Sequence, residues 1–348
     1  MRALIRLLVV AVVVAAVAAV GVRSLNQPYQ GYTEPEIFVD IPHGLGVSAI
    51  GHRLVESGVI KNDWAFRLAV WRRGAARTLK AGEYRFTGEM RATEVVDQLV
   101  AGSVFLRPVT FPEGLTIAEM AAVFESAGLG TKAMFTAAAQ RGSLVHAADA
   151  SADDLEGYLF PETYNLPRDA GAEMLVEQMA ARFLAVYDAR LREAARARGL
   201  TTRQVVTIAS LIEKETSRAD ERPLVSAVYQ NRMRIGMGMQ CDPTVIYALQ
   251  KAGRYDGNLR RDDLAFDSPY NTYRYAGLPP GPIASPGLAS LKAALAPADV
   301  PYLYFVSRND GSHVFSETLD EHNANVRKFQ VEYFRARRAA ERAGDTVR

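Results

Sequence analysis

Cysteine is nearly absent from the sequence, and neither sign of charge is in large excess. Cys241 is the single cysteine among 348 residues, so an ordinary hydrophobic core rather than internal disulfides must stabilise the chain. We interpret Cys241 as a buried, unreactive thiol, since no second cysteine can resolve an oxidised form. The net charge of +2 is too small for a surface that neutralises phosphates. Nucleic acid is therefore not expected as a partner.

The histidines are few, and they lack the spacing of a metal site. The sequence has five of them, at His43, His52, His146, His313 and His322. No HExxH or comparable ligand pattern occurs. We therefore predict no metal, and the sequence indicates no cofactor.

One long apolar run is present near the N-terminus. Arg2 and Arg6 precede 16 uncharged residues from Leu7 to Val22, and Arg23 follows them. A helix of that length rises about 24 Å, against about 30 Å of bilayer hydrocarbon. A membrane span therefore requires the Arg6 side chain to extend towards the membrane surface.

Two interpretations of this run are open. Residues 1–22 are interpreted as a cytoplasmic tip and a single transmembrane helix, with the body of the protein on the extracytoplasmic side. The alternative is a cleavable signal peptide, because Ala16-Val17-Ala18 resembles a cleavage site. In both cases the remaining chain is exported.

The predicted fold class is α+β. Residues 23–36 lack periodicity and are predicted to be a tether, and residues 37–108 an α+β domain. Residues 109–338 are predicted to form a mixed α+β catalytic domain, and residues 339–348 a frayed tail. The hydrophobic content of 49% suffices for a core in each domain.

A short strand, turn and helix pattern occurs three times. The copies begin at Phe38, Tyr84 and Val109, and their expected helix caps are Ser48, Thr93 and Thr116. This pattern is similar to the LysM domain, a short glycan-binding fold, and generic packing of strands on helices explains it equally well. We therefore predict LysM-like modules within residues 37–108.

An amphipathic helix is predicted over Arg203–Ser217, and a carboxylate lies within its apolar face. Glu215 projects about 20° from Ile208, inside the apolar arc, whereas Glu213 projects about 140° away. Desolvation raises the pKa of a carboxyl group, and a carboxyl that stays protonated near neutral pH can act as a general acid. The alternative is a structural glutamate bonded to a buried arginine or to backbone amides.

Loops rich in Gly, Pro, Asn and Tyr are predicted from Gly236 to Gly287. Within them, Gln240–Thr244, Ser268–Tyr273 and Gly277–Pro286 combine amide, hydroxyl and aromatic side chains on Pro and Gly turns. Loops of this length usually form binding surfaces. Each segment alone is explained as an ordinary turn, but their crowding indicates a sugar-binding site.

Seven segments, in order, resemble the YceG-like endolytic murein transglycosylases. They are Ile208–Thr216, Asn231–Gln240, Asp242–Tyr247, Tyr270–Tyr273, Gly277–Gly281, Ile283–Gly287 and Tyr302–Val306. The resemblance covers nearly the whole chain. It implies an anchored inner-membrane enzyme that cleaves peptidoglycan glycan strands internally, between N-acetylmuramic acid and N-acetylglucosamine, and leaves a 1,6-anhydro end.

The resemblance also implies residue roles and partners. The second glutamate of the family's Glu-Lys-Glu motif corresponds to Glu215, in agreement with the helix projection. Cys241 stands where a small hydroxyl residue such as threonine is expected, beside an intact Asp242-Pro243-Thr244. Penicillin-binding proteins or other cell-wall synthesis proteins are implied as partners, together with a role in ending glycan elongation.

The predicted site has one catalytic residue, Glu215. We expect it to protonate the glycosidic oxygen and then to take the proton of the muramic acid C6 hydroxyl, which attacks C1. Asp242 is a candidate for stabilising the oxocarbenium ion. The predicted substrate-binding residues are Gln240, Asp242, Thr244, Tyr270, Asn271, Tyr273, Ser285 and His313.

Two other functions are compatible with these residues. One is a hydrolytic muramidase, in which Glu162 or Asp242 is the second carboxylate that ordinary glycoside hydrolases require. The other is a membrane-tethered glycan-binding scaffold without catalytic activity.

Overall fold

The computed structural model describes residues 2–338, and the chain divides into two compact units. The first unit holds the chain up to Pro108 together with Asn165–Ala170, and the second holds Val109–Tyr164 and the chain from Gly171 onward. Helices and short strand pairs build the protein, which is therefore α+β with one N-terminal apolar helix, as predicted. The predicted tail, residues 339–348, lies outside the described residues.

The first unit is a two-stranded antiparallel sheet packed against helices. Its elements are α1 (Arg2–Asn26), β1 (Glu36–Ile41), α2 (Val47–Glu56), α3 (Asp63–Arg73), β2 (Gly82–Thr87) and α4 (Ala92–Ala101). The strands pair from Glu36 with Thr87 to Ile41 with Gly82. Because side chains alternate along a strand, Val39 and Ile41 enter the core while Asp40 faces solvent.

Some residues of the segment 23–36, which the sequence predicts to be a tether, contact the first unit. Helix α1 continues to Asn26, and Leu25 is buried in the core of the first unit with 1% of its surface exposed. Tyr29 and Met90 then exchange main-chain hydrogen bonds of 3.0 and 3.1 Å. The apolar side chain of Leu25 thus ties the end of α1 to the folded unit.

The three predicted strand and helix copies are present, but two of their helix caps differ from the prediction. Helix α2 begins after Gly46 and α4 after Arg91, where the Arg91 amide donates to Glu94 at 2.8 Å. Thr116 caps its helix as predicted, because its hydroxyl accepts the amide of Glu119. The LysM-like assignment remains a prediction.

The second unit is mostly helical. After β3 (Arg107–Thr110), which pairs with β4 (Thr163–Leu166), the helices are α5 (Ile117–Ser126), α6 (Lys132–Ala139), α7 (Ala172–Val186), α8 (Ala189–Ala197), α9 (Thr202–Glu215), α10 (Arg222–Arg234), α11 (Asp242–Lys251), α12 (Leu288–Leu295) and α13 (Leu319–Val326). Strands β5 (Tyr304–Ser307) and β6 (His313–Ser316) form the hairpin that Asp310-Gly311 between apolar runs predicts.

Helix α9 lies at the centre of the second unit. Thr201 caps its start, and every residue from Val205 to Ile212 is buried, because α8, α10, α11 and α12 surround it. The helix ends at Glu215, since Thr216 adopts an extended conformation. Glu215 is therefore the last residue of a buried helix.

The stretch from Gly236 to Gly287, predicted as loops, contains a helix that the sequence reading missed. Helix α11 begins at Asp242, and Pro243 lies in its first turn. Proline favours the first turn of a helix as well as turns, because the amide that it lacks has no intrahelical partner there. A short 3-10 helix follows at Arg261–Ala265, and the remaining segments are irregular.

Candidate active site

A cavity of about 300 Å³ opens beside the C-terminal end of α9. Its walls come from α9, α10, α11, the loops that flank α11, the β5–β6 hairpin and α13. The lining residues are Glu215, Arg232, Met239, Gln240, Asp242, Tyr273, Phe305, Val306, Ser307, His313 and His322. The cavity therefore brings Glu215 together with four of the eight residues that the sequence predicted for substrate binding.

The Glu215 carboxyl group receives two hydrogen bonds from neighbouring helices. The Tyr229 hydroxyl on α10 donates to Oε1 at 2.9 Å, and the Cys241 thiol before α11 donates to the same oxygen at 3.1 Å. Both donors are buried, with 1% of their surfaces exposed. Across residues 2–338 no hydrogen bond reaches Oε2, so this oxygen can carry the transferable proton.

Burial raises the pKa of Glu215 above its ordinary value. The donors Cys241 and Tyr229 act in the opposite direction because they stabilise the carboxylate, and the nearby charge of Asp242 raises the pKa further. Glu215 also lies at the C-terminal end of α9, where the helix dipole disfavours a negative charge. The environment thus favours the protonated form of Glu215.

Glu213 is also buried, but its partners make it structural. Its Oε1 accepts from Arg222 at 3.3 Å, and its Oε2 accepts from the amide of Gly287 at 2.9 Å. Its side chain is 6% exposed, so the expectation that only Glu215 is desolvated was incomplete. A cationic partner and a backbone donor, rather than exposure, distinguish Glu213 from Glu215.

Asp242 and Tyr273 form a polar pair within the cavity. The Tyr273 hydroxyl donates to Asp242 Oδ1 at 2.6 Å, which orients a carboxylate at the first residue of α11. Gln240 precedes this helix with a φ of 50°, a left-handed conformation that is uncommon for residues other than glycine. The amide of Gln240 donates to the Thr272 carbonyl at 3.2 Å, which helps to hold this conformation.

His313 enters the cavity from β6 and is held by Glu221. Its backbone amide donates to Glu221 Oε1 at 2.8 Å, and its Nδ1 contacts Oε2 at 2.7 Å. Burial opposes the charged form of Glu221, but these hydrogen bonds prevail and lower its pKa. An ionised Glu221 assigns the Nδ1 proton to His313, which leaves Nε2 for a second partner.

Two further charged or titratable residues build the cavity wall, Arg232 and His322, and neither was predicted from the sequence. The Arg232 guanidinium donates to the carbonyls of Met239 and Leu303, both at 2.6 Å, and so joins the α11 loop to the β5–β6 hairpin. Burial, reinforced by the charge of Arg232, lowers the pKa of His322 and favours its neutral form. Arg232 lies within a segment that carries the family resemblance, whereas Glu221 had no sequence signal.

Four predicted substrate-binding residues lie outside the cavity lining. They are Thr244, Tyr270, Asn271 and Ser285. Thr244 and Asn271 instead support residues of the site. The Thr244 hydroxyl donates to the Cys241 carbonyl at 2.7 Å, and Asn271 Oδ1 accepts from the Tyr273 amide at 3.0 Å.

Tyr270 and Ser285, the other two residues outside the cavity lining, make contacts elsewhere in the second unit. Tyr270 packs on Tyr247 with ring centroids 4.9 Å apart, beside the ammonium group of Lys251. Ser285 is fully buried and exchanges main-chain hydrogen bonds with the segment that precedes α5. Glu162, one of the two proposed second carboxylates, forms a two-point ion pair with Arg182 at 2.7 and 2.9 Å and does not line the cavity.

The structure also shows the surroundings of Cys241 and of the side chains that could bind a metal. Cys241 is buried as expected, and in addition its thiol contacts the Glu215 carboxyl group. In the described part of the chain, no three side chains of His, Cys, Asp or Glu are grouped so that they could hold a metal ion. The cavity thus presents one carboxyl with a raised pKa, a second carboxylate and two histidines.

A model of the YceG-like family matches residues 39–328. The chain is 32% identical over 327 residues to the endolytic murein transglycosylase of Bacillus subtilis, with 88% of each chain covered. It is 29% identical over 332 residues to the protein of the same name from Streptococcus pneumoniae strain R6, covering 86% of this chain and 59% of that protein.

A solved structure is also similar. A YceG-like protein from Listeria monocytogenes has 31% sequence identity and a TM-score of 0.57, with 84% of this chain and 99% of that chain covered. The chain therefore belongs to the YceG-like family.

Proposed function

We propose that this protein is an endolytic lytic transglycosylase that cleaves peptidoglycan glycan strands between N-acetylmuramic acid and N-acetylglucosamine and leaves 1,6-anhydro ends. The relatives named endolytic murein transglycosylase support this class of enzyme, a lyase that acts on peptidoglycan. The observation that carries the chemistry is the position of Glu215, a carboxyl with a raised pKa that borders a polar cavity.

In the first step, Glu215 acts as a general acid. Its Oε2 proton moves to the glycosidic oxygen while the bond between that oxygen and muramic acid C1 breaks, which releases the leaving sugar as an alcohol. The negative charge left on Glu215 is stabilised by the hydroxyl of Tyr229 and the thiol of Cys241, which already donate to Oε1. These donors therefore gain strength as the proton leaves.

In the second step, the Glu215 carboxylate acts as a base. It takes the proton of the muramic acid C6 hydroxyl, whose oxygen attacks C1 of the same sugar and closes the 1,6-anhydro ring. No water is consumed, and Glu215 regains its proton for the next cycle. Because the nucleophile belongs to the substrate, the step is intramolecular and avoids much of the entropic cost of bringing in a water molecule.

The other cavity residues position the sugar and stabilise its charge. Asp242, oriented by Tyr273, stabilises the positive charge that develops at C1 between the two steps. Gln240 and His313 bind sugar hydroxyls or the acetamido group, with His313 held by Glu221. Glu221 acts through His313 and is a positioning residue.

A hydrolytic muramidase is the second candidate, because Asp242 lines the same cavity as Glu215. In that mechanism Asp242 activates a water molecule or forms a bond to the sugar, and the product has a reducing end. Glu162 is less suited to this role, since Arg182 occupies both of its oxygens.

Analysis of the ends of the products tests the proposal. The full-length protein is incubated with purified, uncrosslinked glycan strands, and the fragments are identified by mass spectrometry. We expect internal cleavage and 1,6-anhydromuramic ends, which are one water lighter than reducing ends. Glu215→Gln should yield neither, and Glu162→Gln, which alters an acid outside the cavity, serves as the matched control that keeps the activity. Reducing ends from the wild-type protein would contradict the proposal and establish the hydrolytic route.

The apolar helix α1 bears on where the reaction takes place. Residues Ile5–Arg23 form a helix long and apolar enough to cross a membrane, with a mean hydropathy of 2.8, and a signal sequence has the same properties. We propose that α1 is retained and anchors the enzyme with its body on the extracytoplasmic side. There it would cut nascent strands beside penicillin-binding proteins or other synthesis proteins and so end their elongation.

A further inference from the structure

Two exposed tryptophans share one face of α3 in the first unit. Trp64 and Trp71 are the only tryptophans in the sequence. Trp71 is 76% exposed and Trp64 is 40% exposed, and the seven-residue spacing places both on the same side of the helix. The opposite side of α3 is buried through Phe66 and Val70. An exposed aromatic face of this kind indicates an interaction surface.

This face lies beside the end of the N-terminal apolar helix. Helix α1 packs on α3, and a methyl group placed on Gly21 would stand 3.7 Å from Leu68 Cδ2. Leu68 lies between the two tryptophans on the same face of α3. Gly21 belongs to the last turn of the apolar segment Ile5–Arg23. The tryptophans are thus placed next to the point where that segment ends.

The depth of the tryptophans follows from helix geometry. Trp71 is three residues and Trp64 four residues from Leu68, which is a rise of about 4.5 and 6 Å along α3. The Cα atoms of both tryptophans therefore lie within about 6 Å of Leu68 along α3, near the level of Gly21. If α1 spans a bilayer, that level is the boundary between hydrocarbon and headgroups, where tryptophan is enriched in membrane proteins.

The segment that follows the apolar part of α1 is fixed to the first unit, which carries the tryptophan face. Leu25, four residues after Gly21, is buried in the core of the first unit, and Tyr29 is hydrogen-bonded to Met90. The first unit cannot move away from the end of α1 without withdrawing Leu25 from the core. The distance of α3 from the bilayer is therefore set by the fold.

Basic side chains border the same face. Arg67 and Arg72 are exposed on α3, and Arg23 closes the apolar segment. Asp63 is the acidic residue of this helix, and it lies 3.9 Å from Arg67 and 4.0 Å from His52. The surface presents apolar rings among positive charges, which suits the headgroup region of an anionic phospholipid bilayer.

We propose that the α3 face formed by Trp64 and Trp71 inserts into the outer headgroup region of the membrane that α1 spans. The face would hold the first unit against the bilayer surface. The inference rests on the retention of α1 as an anchor, which belongs to the proposed function, and does not depend on the chemistry of Glu215.

Tryptophan fluorescence tests the proposal directly, because the protein has no other tryptophan. The full-length chain is reconstituted in nanodiscs of phosphatidylethanolamine and phosphatidylglycerol that carry bromine either near the headgroup or deep in the acyl chains. Trp64→Phe leaves Trp71 as the reporter, and Trp71→Phe leaves Trp64. We expect the shallow bromines to reduce the emission of the Trp71 reporter at least about twofold, and the deep bromines to reduce it less.

Each other outcome overturns the proposal. Emission that neither bromine position reduces, in both reporters, would show that the face stays in water. Emission that changes only when glycan strands are added would identify the face as a sugar-binding surface. An intact mass lacking α1 would remove the anchor on which the inference rests. Glycan cleavage measured on the same nanodiscs separates a failure of this inference from a failure of the proposed reaction.

Discussion

Two buried glutamates of the second unit, Glu215 and Glu156, invite comparison. Burial raises the pKa of both, that of Glu156 to about 8, and each is bonded to a tyrosine hydroxyl. Glu215 lies at the C-terminal end of a helix, and Glu156 contacts the N-terminal end of another. Glu215 ends α9, whereas Glu156 accepts the amide of Ile117, the first residue of α5, at 3.1 Å. Glu156 therefore caps a helix, and Glu215 is placed where a helix opposes its charge.

The surroundings of the two glutamates differ as well. Glu156 lines a cavity of about 380 Å³ whose walls combine apolar side chains of α5 with polar side chains such as Gln140, Asp154 and Lys251. Glu215 shares its smaller cavity with Asp242, Tyr273 and His313. A raised pKa alone thus does not identify a catalytic acid. Both oxygens of Glu156 accept hydrogen bonds, from the Ile117 amide and the Tyr247 hydroxyl, whereas both donors to Glu215 reach Oε1, and this difference distinguishes the two positions.

The largest expected effect is on catalysis. Glu215→Gln should reduce glycan cleavage by about 100- to 10,000-fold, because it removes the general acid and base. Glu156→Gln should leave the rate within about twofold, since the amide oxygen can still accept from Ile117. Rates on uncrosslinked glycan strands at pH 7 measure both. Equal losses in the two variants would show that the comparison misassigns the catalytic group.

The next effect concerns the tyrosines that donate to each glutamate. Tyr229→Phe removes a donor that stabilises the Glu215 carboxylate, so kcat should fall by about ten- to a hundredfold. Because that donor lowers the pKa of Glu215, its loss should also move the alkaline limb of the pH–rate profile to higher pH.

Tyr247→Phe is the matched control, because it removes the corresponding donor of Glu156. Its pH–rate profile should coincide with that of the wild type. If the alkaline limb of the pH–rate profile is unchanged in Tyr229→Phe, the limb reports the titration of a group other than Glu215.

The pH dependence of stability should report on Glu156. Its pKa is about 8 in the folded protein against 4.5 for an ordinary glutamate, so the folded state binds more protons between these values. The free energy of unfolding should therefore fall as pH rises from about 4.5 to 8, by up to about 1.4 kcal/mol for each pH unit. Urea unfolding at several pH values should show a shallower fall in Glu156→Gln. Parallel curves would contradict the assignment.

The smallest effect is expected at Cys241. Cys241→Ser keeps a donor beside Glu215 Oε1 and should alter kcat by less than about threefold. Cys241→Ala removes the donor and should shift the alkaline limb upward in the same direction as Tyr229→Phe, but by less because a thiol is a weaker hydrogen-bond donor than a phenol hydroxyl. Steady-state rates across pH measure both variants. A larger loss of kcat in the serine variant than in the alanine variant would contradict the role of Cys241 as a hydrogen-bond donor.

Local patterns predicted several parts of the molecule. The helical periodicity around Ile208 identified α9 and put Glu215 on its apolar side, and Asp310-Gly311 predicted the β5–β6 hairpin. Helix α11 was missed because Asp242-Pro243 suits both a turn and the first turn of a helix. Burial of Leu25 was missed because a single leucine in a polar segment carries no periodic signal.

The predicted substrate-binding residues show the same limit of prediction from local patterns. Gln240, Asp242, Tyr273 and His313 line the cavity, while Thr244 and Asn271 support it from behind. The composition of a loop shows that it contains residue types suited to binding a sugar, but it does not show which way each side chain faces. Glu221 had no signal because its partner His313 lies 92 residues away along the chain.

The sequence by itself determined the apolar N-terminal run, the α+β class and the place of Glu215 on the apolar side of α9. Those features depend on composition and on the period of a single helix. Only the tertiary structure decided that Tyr229 and Cys241, 14 and 26 residues further along the chain, donate to Glu215, and that Arg222 neutralises Glu213 instead. The physical reason is that a pKa depends on the charges and donors within a few ångströms, and chain folding, not local periodicity, brings those groups together.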